Sequence, residues 1–156
     1  MKLVLLTMES SRETWSEEAF QTYTKKINPL LPFERITLKS PARDRKEASE
    51  KIKAESELLI EKILPGDFVV LCDERGKTVT SRAFSDKMQG VLSGGKKRCV
   101  FLVGGAYGVS EAIKKRADYT MQLAPFTLNH LVAQTVLMEQ IFRSLTIWKN
   151  IPYHND

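Results

Sequence analysis

The chain has 156 residues, 42% hydrophobic and 28% charged, with a formal net charge of +5. That length favours one domain spanning residues 1–156, and the composition excludes a low-complexity or disordered chain. No apolar run approaches the length of a membrane span, and the basic excess suits a polyanionic partner without requiring one.

The opening Lys2–Met8 reads as a buried strand. It is too short for a secretory leader, lacks a small-residue cleavage site and reaches Glu9 at once, so a cytoplasmic protein is expected. A helix follows over 14–27, with Thr14 or Ser16 as its cap and Glu17 and Glu18 in its first turn; Pro29 and Pro32 end it. Phe33–Leu38 alternates as a second strand, and residues 39–46 form a basic loop around Pro41. A charged helix is expected from about 45 to 63, with Ala48, Ile52, Leu59 and Ile63 on its apolar side and Pro65-Gly66 as its stop. Residues 68–72 are a continuous apolar strand, as in a parallel sheet covered on both faces, and 73–77 form a turn. The rest predicts a helix over 81–92, a strand over 98–103, a short helix over 110–117, a strand over 119–123 and a final helix over 130–148. This alternation implies an α/β three-layer sandwich with a mainly parallel sheet of five to six strands.

Cys72 and Cys99 lie in strand-like runs, outside any CxxC and away from histidine, which fits buried thiols and no metal. Gly104-Gly105-Ala106-Tyr107-Gly108 turns a strand into a helix. It is either a tight connection or a place where backbone approaches a ligand; it is neither GxGxxG nor followed by GK[ST], so both phosphate fingerprints are missing. Leu123-Ala124-Pro125-Phe126-Thr127-Leu128 is either an apolar connector or a loop whose backbone groups grip an adenine edge. Two such loops at strand ends are how an α/β protein builds a cofactor pocket. Asn129 suits an N-cap, and His130 in the first turn is disfavoured as imidazolium, leaving it to accept a proton or to bond the backbone.

Along the last helix Val132, Val136, Leu137, Ile141, Phe142, Leu145 and Trp148 form a broad apolar surface, more than one sheet would cover, and the remainder suits a helix-packed dimer. Glu139 and Arg143 are spaced to pair, or Arg143 faces a phosphate. The tail carries Pro152-Tyr153-His154, where a Tyr can stack on a base and a His can move a proton near neutral pH. Arg43, Arg45 and Lys46, and then Lys114, Lys115 and Arg116, form basic clusters suited to phosphate contact with a polyanionic partner such as a nucleic acid, or to a solvated surface.

Taken in order, the first strand, Leu71…Gly76-Lys77, Val103-Gly104-Gly105…Gly108, Thr127-Leu128…His130, Glu139-Gln140…Arg143 and Pro152-Tyr153-His154 make the chain similar over its whole length to the RlmH-type SPOUT methyltransferases. That family methylates N3 of a pseudouridine in 23S rRNA of the large ribosomal subunit. The resemblance implies a C-terminal trefoil knot, a feature almost absent from proteins. It implies S-adenosylmethionine held by Leu71, Gly104, Gly105, Gly108 and the 123–128 loop, with Tyr153, His154 and Arg143 as catalytic residues. It also implies a homodimer with shared active sites, no metal, and action on assembled ribosomes, since no RNA-binding module is appended. Two positions depart from the pattern: Gln134, where many relatives carry Arg, and Leu131, where Pro or Gln is common. Gln134 leaves a rival reading, an RNA- or ribosome-binding protein that kept the fold. A flavodoxin-like nucleotide-binding protein is a second rival, opposed by the missing phosphate fingerprint.

Overall fold

Strand β1 (Lys2–Met8) turns Leu3 and Leu5 to one face and Val4, Leu6 and Met8 to the other, all of them buried, so the chain has to supply cover on both sides. The computed structural model describes residues 1–41 and 47–156; the candidate phosphate contacts Arg43, Arg45 and Lys46 lie outside the described residues. Cover comes from helices α1 (Thr14–Ile27), α2 (Ala48–Glu61), α3 (Ser81–Ser93), α4 (Glu111–Arg116) and α5 (His130–Trp148), which alternate with β2 (Phe33–Leu38), β3 (Phe68–Thr78), β4 (Arg98–Val103) and β5 (Tyr119–Gln122).

The five strands form one sheet in the order β2-β1-β4-β3-β5, and every neighbouring pair is parallel. Parallel neighbours need crossovers, and each is made by a helix. Phe20 and Ile27 of α1, Phe84 and Met88 of α3 and Leu137 and Ile141 of α5 pack on one face around Phe101. Leu59 of α2 and Ile113 of α4 pack on the other, against Leu6, Leu71 and Leu102. The result is the three-layer α/β arrangement, with five strands.

Three local features differ from the sequence expectation. Neither Thr14 nor Ser16 caps α1; Glu13 occupies the cap position in extended conformation, and Ser16 donates its hydroxyl to the Glu13 carbonyl at 2.8 Å. Helix α2 is shorter than expected and its inward face is partly polar: Glu55 and Ser56 are buried with Leu59, whereas Ala48 is exposed. The backbone N–H of Ser110 donates to Ser56 Oγ at 2.9 Å, so this polar face ties α2 to the start of α4. Strand β3 runs on through the expected turn, with a break in its register to β5 between Cys72 and Lys77.

Gly76 closes that break. A Cβ there would collide with the backbone of Met121 in β5, so only glycine lets the two strands resume pairing. Gly76→Ala is expected to lower stability by about 2 kcal/mol through this overpacking, read as a reduced urea midpoint.

Candidate functional site

The middle of β3, where its pairing with β4 stops at Cys72, and the carboxyl ends of β4 and β5 open into one cleft of about 620 Å³. Leu71 and Cys72 supply the β3 wall, and Asp73, Glu74 and Arg75 follow them at the rim. Gly104, Gly105 and Gly108 lie on the β4 side with Ala106 and Tyr107 between them. Leu123, Ala124, Phe126, Thr127 and Leu128 supply the third side; Pro125 of the same loop is not among the lining residues. Gly105 accepts from the Gly108 N–H at 3.0 Å, and Gly108 has φ +87°, the left-handed region that glycine tolerates. The loop therefore doubles back tightly and turns backbone toward the cleft. Tyr107 and Phe126 stand exposed on its lips, Phe126 at 82%. The Cys72 thiol is pushed up to about 12 by burial, so it stays protonated at neutral pH and is no nucleophile.

Asn129 accepts the Leu131 N–H at 2.9 Å and starts α5. His130 follows on the cleft wall, with Nε2 3.1 Å from the Met8 carbonyl and 3.1 Å from Thr7 Oγ1. The carbonyl can only accept, so Nε2 carries the hydrogen; Thr7 passes its own hydroxyl hydrogen to the Val103 carbonyl at 2.9 Å. The imidazole thus pins the start of α5 to the ends of β1 and β4. Burial is the main cause that holds its pKa below the usual histidine value, with the Arg35 charge adding to it.

The tail residues are elsewhere. Glu139 lies nine positions along α5 from His130, about 13 Å of helix rise. There Glu139 Oε1 accepts from Arg143 Nε at 3.0 Å and from the Tyr153 hydroxyl at 3.0 Å. The Tyr153 ring packs edge-on to Phe142 at 4.8 Å and lies 4.7 Å from the Arg143 guanidinium. Burial, reinforced by the Glu139 bond, pushes the Tyr153 phenol up to about 12. Arg143 Nη1 donates to His154 Nδ1 at 3.1 Å, which fixes the hydrogen on Nε2, and Nε2 donates to Asp156 Oδ1 at 3.0 Å. Asp156 is gripped by the Arg82 fork and held down to about 2. The structure brings Arg143, Tyr153 and His154 together, but none of them lines the cleft of the same chain.

The second basic cluster is divided. Lys114 lines the cleft while paired with Glu111 at 2.8 Å, and Lys115 is exposed. Arg116 is committed at the opposite edge of the sheet, donating to Asp118 and to the Leu64 and Asp67 carbonyls. Gln134 is buried and accepts from Arg35 Nε at 3.0 Å, while Arg35 stacks on Phe20 at 4.0 Å. Among the described residues no group of three or more His, Cys, Asp or Glu side chains is placed to hold a metal, and no helix is long and apolar enough to cross a membrane.

A family model described as "Predicted SPOUT methyltransferase" matches residues 1–154. The chain belongs to the SPOUT methyltransferases. It is 44% identical over 155 residues, 99% of each chain, to the ribosomal RNA large subunit methyltransferase H of Bdellovibrio bacteriovorus. It is 35% identical over 158 residues to the protein of the same name from Parabacteroides distasonis, with both chains fully covered. Among solved structures the fold of this chain is similar to that of a probable methylase family protein from Haemophilus influenzae, at a TM-score of 0.54 and 12% identity over 95% of this chain and 66% of that one. It is also similar to that of the A. aeolicus TrmH/SpoU tRNA modifying enzyme, at 0.51 and 14% over 96% and 78%. At such identities the last two establish the fold alone.

Sequence reading missed Glu55, Ser56, Arg82 and the Thr7–His130 tie. For the first two a signal existed: they fall three and four residues after Ile52 and just before Leu59, in phase with the apolar side of α2. Nothing local marks the other contacts.

His130 generates a pH prediction. Its folded-state pKa is depressed, so the stability it contributes is present above the unfolded value of about 6.5 and is lost as pH falls toward the folded pKa. Urea unfolding of the wild-type chain should lose stability between pH 7 and 5, and His130→Gln should show a smaller loss over that window.

Proposed function

We propose that this chain is an S-adenosylmethionine-dependent methyltransferase that modifies N3 of a pseudouridine in 23S rRNA of the large subunit. It works as a homodimer on assembled ribosomes in the cytoplasm. The observation that carries the reading is the pairing of a backbone-lined cleft, at the middle of β3 and the carboxyl ends of β4 and β5, with a polar and aromatic cluster that lies beyond its reach on the same chain. The names of the full-length relatives point to the same substrate class. The rival reading as a non-catalytic binding protein rested on Gln134, and Gln134 has an internal partner in Arg35 that accounts for it.

The cleft suits the cofactor. Its volume falls in the range of small-molecule sites, its walls mix apolar side chains with loop backbone, and it lacks the glycine–lysine signature of a phosphate cradle. When bound, S-adenosylmethionine supplies an electrophilic methyl group on a sulfonium. Leu71, the glycine turn 104–108 and residues 123, 124 and 126–128 would hold it.

The demand on the protein is removal of the N3 proton, because a neutral imide nitrogen is a poor nucleophile. His154 presents a lone pair at Nδ1, now covered by an Arg143 N–H. A uracil carbonyl that takes over this N–H frees Nδ1 to accept the proton. Arg143 then stabilises the negative charge growing on the same carbonyl oxygen, and Asp156 steadies the imidazolium through Nε2. Tyr153 stays a neutral phenol and orients the base with its ring. Because the cluster stands about 13 Å along α5 from its own cleft, it serves the cleft of the second copy. The trefoil knot belongs to the same reading. It is supported by β3 standing between β4 and β5, and by residues 123, 124 and 126–129 lining one cleft with residues 73–75 of β3 and the 104–108 turn.

Labelled S-adenosylmethionine incubated with ribosomes from cells lacking the protein should mark a pseudouridine in large-subunit RNA, and isolated subunits or naked RNA should stay unlabelled. Absence of label despite cofactor binding would defeat the reading. His154→Ala should lower turnover about 10²–10⁴-fold with cofactor affinity kept. Mixing His154→Ala with a Gly104→Val cleft variant should restore about a quarter of wild-type turnover, the share of sites left whole in a randomly reassorted dimer. No recovery in subunits shown to exchange would place cleft and tail on one chain.

A further inference from the structure

Two carboxylates are buried among the described residues, and they differ in what they meet. Asp67 faces Arg98 Nε at 3.2 Å and accepts the Leu64 N–H at 2.8 Å. Glu55 is 6% exposed, and its side chain has no hydrogen bond or ion pair to any of the described residues. A carboxylate set into the fold without such partners is unusual, and a ligand in the neighbouring cleft gives it a use.

The location of Glu55 shows which ligand that is. A Cβ on Gly105 would strike Glu55 Oε2, so the carboxylate reaches the cleft-lining loop through the space a side chain would fill. Its field also acts on His130, on the adjoining wall. Glu55 therefore stands behind the cleft, between the glycine turn and the first turn of α5. Of the cations on the cleft, Arg75 stands at the rim beside Asp73 and Glu74 and Lys114 is paired with Glu111, while the Arg35 guanidinium is held by Gln134 and Phe20. A thin, backbone-only wall screens little of a charge placed behind it.

We propose that Glu55 is the charge-reading residue of the cleft. Its carboxylate favours S-adenosylmethionine, which carries a sulfonium, over S-adenosylhomocysteine, whose sulfur is neutral. This rests on the cofactor reading given above. Glu55 is a positioning residue that acts across the Gly105 backbone and touches no reacting atom. Its use is product release: once the methyl group has left, the attraction disappears and the spent cofactor exchanges for a fresh one.

Calorimetric titration of the full-length wild type and Glu55→Gln with S-adenosylmethionine, S-adenosylhomocysteine and sinefungin tests this. Sinefungin carries an ammonium near the sulfonium position. Glu55→Gln should weaken S-adenosylmethionine and sinefungin about tenfold and leave S-adenosylhomocysteine within about twofold. The unliganded variant should melt no lower than wild type, because Glu55→Gln removes no hydrogen bond or ion pair to a described residue. Glu55→Asp, which keeps the charge, should retain the preference, and it carries the test if the glutamine variant fails to fold. Equal weakening of all three ligands, or an unchanged ratio, overturns the proposal in favour of a structural role. A wild-type protein that binds none of the three overturns the cofactor reading, and the proposal with it.

Discussion

Because β3 pairs in parallel with β4 on one side and β5 on the other, the chain has to leave three adjacent strands at the same edge of the sheet. Everything that lines the cleft follows from that. The 73–75 rim, the glycine turn and the 123–128 loop come from distant parts of the sequence, yet they converge because their strands point the same way. The pairing tolerates little adjustment. Within the register break, Gly76 lies against Met121 with no room for a side chain, and Asp118 accepts the Val69 N–H at 2.7 Å while its own N–H returns to the Val69 carbonyl at 2.9 Å. The cleft rests on a sheet edge stitched at both ends.

The layers of this fold could be read from the chain because they depend on local signals. Alternating or continuous apolar runs mark β1 to β4, Pro65-Gly66 marks the end of α2, and Asn129 caps α5 where expected. The cleft loops were legible for a similar reason, since glycine and small residues announce backbone exposure. Contacts made across the fold were not. Arg116 sits in a basic run that reads as surface, and only the folded chain shows its guanidinium spent on Asp118 and two carbonyls at the far edge of the sheet. Gln134 reads as a departure from pattern until Arg35, ninety-nine positions earlier, is seen donating to it. Glu55 and Ser56 were in phase with an apolar face but carry polar side chains, and residue type outweighed position.

The physical division of labour is between walls and tail. The walls are strand ends and backbone, rigid because β1, β4 and α5 are tied together through Thr7 and His130. The tail is held by side chains, with Glu139 as the acceptor shared by Arg143 and Tyr153. Rigid walls suit binding a small molecule in one pose, whereas a side-chain-held tail can rearrange when a substrate offers better partners for Arg143.

That tail is fastened at its end by Arg82 and Asp156, both more than half exposed. Surface ion pairs of this kind are weak and are screened within a Debye length of about 8 Å at physiological ionic strength. Raising salt therefore loosens the latch on His154 as well as any contact with RNA phosphates. The slope of RNA affinity against salt concentration will then exceed what phosphate contacts alone produce, with the excess reporting release of the protein's own C-terminal segment.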